Sequence, residues 1–69
     1  MDIKTKIGNR IRELRHDRDL SQEEFAHLCG LDRTYIASIE LGKRNVSLVN
    51  LEKIAKGFGI SLSRLFKDL

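Results

Sequence analysis

The sequence predicts an all-α fold of five short helices, on three observations. Apolar residues recur at spacings of three and four in each segment long enough to show a period. No stretch alternates apolar and polar residues between turn signals, as a half-buried strand does. Serine or aspartate stands just ahead of each periodic segment, and glycine follows several of them, which is how helices start and stop.

The first helix spans Ile3 to Arg18, with Ile3, Ile7, Ile11 and Leu14 on one stripe and Asp2 as its cap. Cations fill the positions between: Lys4, Lys6, Arg10, Arg12, Arg15 and Arg18. Lys6, Arg10, Arg12, Lys53, Lys56 and Lys67 read as ordinary solvated faces. Asp17-Arg18-Asp19 breaks the helix, and Leu20 is placed to pack on Phe25 as a hydrophobic staple. Ser21 and Glu24 form an S-x-x-E capping box, in which each side chain satisfies a free N–H of the first turn. The helix they open buries Phe25, Ala26 and Cys29 and stops at Gly30, which takes a positive φ without steric cost. Asp32 caps a third helix with Ile36 and Ile39 inward, closed by Leu41-Gly42. A polar loop, Gly42-Lys43-Arg44-Asn45, leads to Ser47, the cap of a fourth helix. Its apolar face is Leu48, Leu51, Ile54, Ala55 and Phe58, and Gly57 and Gly59 end it. Ser61 caps a last helix carrying Leu62, Leu65 and Phe66 to the terminus. Short connections place all five around one core.

Sixty-nine residues are expected to form one domain, residues 1–69, and the whole protein. The single cysteine cannot make an intramolecular disulfide, and no secretory or transit segment precedes the first helix, so a cytoplasmic location is expected. No apolar run approaches the roughly 18 residues of a membrane span. A net charge of +3 fits a polyanionic partner but does not select one. No catalytic or metal-ligating constellation is present. His16 and His27 lie on different helices, and Cys29 falls on a core face. No enzyme activity, cofactor or small-molecule ligand is expected.

The second and third helices, with small Ala26 at their crossing and Gly30 at the turn, have the pattern of a helix-turn-helix. In that unit the second helix enters the DNA major groove. Gln22, Ala26, Gly30, Ile36 and Ile39 stand at the offsets of the lambda-repressor and Cro-like (Xre-type) family. The chain resembles that family over nearly its whole length. The likeness includes the helix count, the Ile-Glu-Leu-Gly-Lys run, and the ending Ile-Ala-Lys-Gly-Phe-Gly-Ile-Ser-Leu-Ser-Arg-Leu-Phe. Leu-Asp-Arg-Thr-Tyr-Ile, followed by Arg44-Asn45, is most similar to controller proteins of restriction–modification systems.

The resemblance implies a transcriptional regulator of double-stranded DNA, acting by repression, activation or both. Arg33, Thr34, Tyr35 and Ser38 would occupy the base-contacting positions. Arginine can donate twice to guanine O6 and N7, and a threonine methyl can meet a thymine methyl. The alternative role for Arg33 is to hold a phosphate, and for Tyr35 to pack on a neighbouring helix. Glu23 is placed to orient Arg33. Gln22, Lys43, Arg44, Asn45 and Ser47 are the phosphate candidates, against a merely solvated loop. Arg15 and Glu40 match a partly buried ion pair of the family. Leu28 either widens the core or forms a small exposed patch. One reading helix covers only a few base pairs, so a homodimer on a palindromic operator is expected. Leu62, Phe66, Leu69, Val49 and Ile60 are its interface candidates. The rival functions are an antitoxin-type autorepressor, and a protein-interaction module of the same fold that has lost DNA.

Overall fold

Aspartate or serine caps all five helices of the computed structural model, which describes residues 1–69. Helix α1 runs Ile3–Asp17, α2 Gln22–Cys29, α3 Arg33–Glu40, α4 Leu48–Phe58 and α5 Leu62–Leu65. Asp2 accepts from the Thr5 N–H, Asp32 from Thr34, Ser47 from Asn50 and Ser61 from Arg64. At Ser21 both arms of the capping box form: its hydroxyl accepts from Glu24 N at 3.0 Å, and its own N–H donates to the Glu24 carboxylate at 2.8 Å. Each contact satisfies an amide that helix geometry leaves without a partner. Gly30 ends α2 at φ 70°, and the Leu31 N–H turns back to the Ala26 carbonyl.

Helix α3 lies between α1 and α2, while α4 packs on α2 and carries α5. Their shared core holds Ile7, Ile11, Leu14, Phe25, Ala26, Cys29, Ile36, Ile39, Leu51, Ile54, Ala55, Phe58 and Leu65. Phe25 and Phe58 stack with ring centroids 4.0 Å apart, and the Arg18 guanidinium closes the stack 5.0 Å above Phe58. Leu20 packs against this core just ahead of α2. The extents, 27 × 22 × 22 Å, are those of one rounded body. No helix is long and apolar enough to cross a membrane.

Two glycines act through what they lack. Gly8 is buried in α1 where a Cβ would sit 2.3 Å from the Ile39 carbonyl oxygen, so α1 and the end of α3 meet backbone to backbone. Gly57 does not end α4. It lies within the helix, where a Cβ would meet Cys29 Sγ at 2.6 Å and Phe25 Cε1 at 3.2 Å.

Four further expectations need correcting. Ile3 and Leu48 belong to neither core face; they are 60% and 74% exposed. Each is the first residue of its helix, and helical side chains lean toward the N-terminus, here beyond the neighbouring elements. Helix α5 is one turn, with Asp68 at positive φ beyond it, rather than a helix to the terminus. Arg10 is not simply a solvated cation. Its Nε donates to the Leu65 carbonyl at 3.1 Å and its Nη2 to that of Arg64 at 2.8 Å, closing the C-terminal end of α5. Leu28, open between two places in the sequence, takes the exposed one on α2 and is no correction.

Candidate nucleic-acid interface

Helix α3 is aimed by a pair of charges at its far end. Arg15 of α1 donates from Nε and Nη2 to the two Glu40 carboxylate oxygens, each at 2.8 Å. Its third nitrogen, Nη1, donates to the Leu20 carbonyl at 2.8 Å, so the guanidinium also holds the entry to α2. Both side chains are buried, and the bond to Glu40 raises the Arg15 pKa above its ordinary value. Gln22 adds a third partner, donating from Nε2 to Glu40 Oε1 at 3.2 Å. One carboxylate thus ties α1, α2 and α3 together, and no buried side-chain polar atom is left without a partner.

The opposite end of α3 faces solvent. Arg33 and Thr34 are exposed, whereas Tyr35 and Ser38 are half-buried. Asp32 accepts from both the N–H and the hydroxyl of Thr34; the hydroxyl bond comes first among the causes holding its carboxyl below the usual range. The Ser38 hydroxyl donates back to the Thr34 carbonyl at 3.0 Å. Both hydroxyls therefore have partners within the helix, and Arg33 has the least committed polar group of the four. Arg33 forms no ion pair, so Glu23 does not orient it.

The basic loop folds onto this helix. The Lys43 N–H donates to the Ser38 carbonyl at 3.0 Å, continuing the chain off the end of α3. Arg44 reaches back so that its guanidinium lies 5.3 Å from the centre of the Tyr35 ring. Lys43, Arg44 and Asn45 are all exposed, and Ser47 caps α4 beside them. The Tyr35 hydroxyl accepts from Asn50 Nδ2 of α4 at 3.1 Å. Tyr35, Arg44 and Asn50 therefore belong to one connected edge of the molecule, and Arg33 is exposed at the start of α3. Gln22 differs, since its amide is partly engaged by Glu40.

Sequence reasoning did not anticipate Gln22 on Glu40, Asn50 on Tyr35, or Arg10 on α5. These partners lie 18, 15 and 55 residues apart in the chain, and no local pattern marks them. Cys29 carries no such chemistry, because burial among apolar neighbours pushes its thiol up to about 12.

Of the interface candidates, Ile60, Leu62 and Phe66 are half-buried against the core, while Val49 and Leu69 are exposed. Leu65, between them, is fully buried.

The chain is similar in sequence and fold to known proteins. The helix-turn-helix family HTH_3 matches residues 11–65. The chain is 62% identical over 69 residues to the control protein C.MunI of a Mycoplasma species, covering 99% of this chain and 93% of that one. It is similar to the crystal structure of the restriction–modification controller protein C.AhdI from Aeromonas hydrophila, with TM-score 0.88 and 51% identity over 91% of this chain and 96% of that one. It also superposes, with TM-score 0.89 and 35% identity, on the controller protein C.Esp1396I, solved as a tetramer with its natural 35 base-pair operator. That match covers 96% of this chain and 87% of the other.

Proposed function

This chain belongs to the helix-turn-helix family of lambda-repressor type, and from that premise we propose that it is a restriction–modification controller protein. In this reading it is a non-enzymatic regulator that binds operator DNA in the cytoplasm, residues 1–69 acting as one domain. The observation that carries it is the edge built by α3 and the loop after it. An uncommitted Arg33 opens the helix, and Arg44 is drawn over Tyr35 beside it.

Arg33, Thr34, Tyr35 and Ser38 face the bases, with Arg33 the main reader by bidentate donation to guanine. Lys43, Arg44, Asn45, Gln22 and the capped start of α4 at Ser47 hold the phosphates. Their cations supply affinity without sequence information. Because Glu40 is fixed to α1 and α2, α3 enters the groove as part of a rigid body.

One such edge reads half a site, so the protein acts as a homodimer on a palindromic operator. Val49 and Leu69 are solvent-facing apolar residues in the C-terminal half. With the half-covered Ile60, Leu62 and Phe66 they form the proposed two-fold surface. The two α3 helices would then sit about 34 Å apart, one duplex turn.

Selection of bound sites from random duplexes tests the reading, with sedimentation on the same protein. A palindromic consensus and a dimer are expected. No enrichment would overturn it in favour of an interaction module of the same fold.

A further inference from the structure

Tyr35 stands in the first turn of α3, where a small rotation about its side-chain bonds moves the ring by several ångströms. Two contacts hold it. Asn50 Nδ2 donates to the hydroxyl at 3.1 Å, and the Arg44 guanidinium lies over the ring face at 5.3 Å. The arginine is exposed and comes from an irregular loop, so it follows the ring more than it fixes it. Asn50 is different. It belongs to the first turn of α4, its own N–H donates to the Ser47 hydroxyl at 3.2 Å, and the next residue, Leu51, is in the core. The asparagine therefore refers the position of the phenol to the packed interior.

We propose that Asn50 is a positioning residue for DNA reading: by holding the Tyr35 hydroxyl it sets the edge of α3 and, through the ring, the place of Arg44. This rests on the DNA-binding reading above. Its physical effect is to order one aromatic and one long cationic side chain before the duplex arrives. That ordering would otherwise be lost from the binding free energy. Asn50 acts through the phenol, not by touching a base.

The contact can be followed directly, because Tyr35 is the single tyrosine in a chain without tryptophan. Tyrosine fluorescence and the tyrosine ring resonances report this side chain alone. The experiment compares wild type, Asn50→Ala, Tyr35→Phe and the double variant. Affinity is measured on the duplex that wild type selects and on an unrelated duplex of equal length.

Asn50→Ala should lose about five- to tenfold on the selected site, the size of one neutral hydrogen bond. On unrelated DNA the loss should be smaller, limited to the phosphate contact of Arg44, and in the free protein the tyrosine signals should shift. Tyr35→Phe breaks the same bond from its other side and should lose at least as much. The double variant should be no worse than Tyr35→Phe alone. Losses that multiply would overturn the proposal, since Asn50 would then act on DNA independently of the hydroxyl. Wild-type affinity with unshifted tyrosine signals in Asn50→Ala would overturn it too. Melting curves establish that each variant is folded. Should Asn50→Ala not fold, Tyr35→Phe alone decides: undiminished selectivity there would overturn the proposal. A wild-type protein that selects no sequence is a separate result, visible before any variant is made, and it sinks the DNA-binding reading itself.

Discussion

Arg15 and Glu40 meet through two parallel hydrogen bonds of 2.8 Å, with both side chains buried between α1 and α3. The pair closes the end of α3 farthest from its exposed first turn. Removing one partner leaves a charge out of water with nothing to balance it, which costs about 3–5 kcal/mol. At roughly 0.05–0.15 kcal/mol per residue, a chain of this size holds only a comparable total. Glu40→Ala should therefore lose a large fraction of its stability, as read by urea titration and circular dichroism. Replacing both residues by apolar side chains of similar volume, Arg15→Met with Glu40→Leu, should recover most of that loss. A loss below about 1 kcal/mol for Glu40→Ala would place the pair among solvated ones.

A second prediction concerns the contact of α2 with α4. A Cβ at Gly57 would come within 2.6 Å of Cys29 Sγ, although alanine is the better helix former. Overpacking of this kind costs about 1–3 kcal/mol and outweighs the propensity gain of about 1 kcal/mol. Gly57→Ala should lower the melting temperature by several degrees. Cys29→Ala removes the sulfur that is in the way, so the double variant should be more stable than the sum of the two single effects predicts. Strict additivity would mean that the helices separate rather than collide.

What was legible in the sequence divides along physical lines. The caps were readable because a serine or aspartate acts on amides two or three residues ahead, entirely within local sequence. The core faces were readable from spacing, except at Ile3 and Leu48. There the period continues past the point where a neighbouring helix exists to cover it. Gly57 was misplaced because a glycine demanded by close approach and one demanded by a turn look the same in a sequence. Arg10 lies among cations that do face water, and only the return of α5 gives it two carbonyls to bind. The proposed site residues rest on family offsets. The Arg44–Tyr35–Asn50 chain did not, because it depends on how the loop folds back.

Acid should act through the helix caps. Asp32 is held below its usual range chiefly by the Thr34 hydroxyl, Glu24 by the Ser21 N–H, and Asp2 by the Thr5 N–H. A carboxylate whose folded pKa is depressed adds stability above its unfolded value, about 3.9 for Asp and 4.3 for Glu. That stability is lost as pH falls through the folded value, where the unfolded chain binds more protons. The protein should thus weaken below about pH 4.3 and be insensitive through these groups near neutrality. Asparagine caps a helix as well as aspartate does. Asp32→Asn should match wild type at pH 7 and lose less on acidification, in urea titrations at a series of pH values. Equal acid loss in the two proteins would exclude Asp32 as a contributor.

The last prediction separates reading from holding. Arg33 has no ion pair, so on DNA its donors are available to a base edge without first breaking a bond. Arg33→Ala should cut discrimination between the selected site and one changed at the contacted base pair by about 1–3 kcal/mol. Its affinity for unrelated DNA should fall much less. Lys43 is exposed on the loop whose N–H continues off Ser38, and it is the proposed phosphate contact. Lys43→Ala should weaken all duplexes alike and reduce the slope of log affinity against log salt by about 0.9. The two signatures are independent, so they can fail independently. An Arg33→Ala protein that keeps its discrimination but loses salt slope would turn Arg33 into a phosphate clamp. The base reader on α3 would then have to be sought in Tyr35, the side chain whose hydroxyl Asn50 already holds.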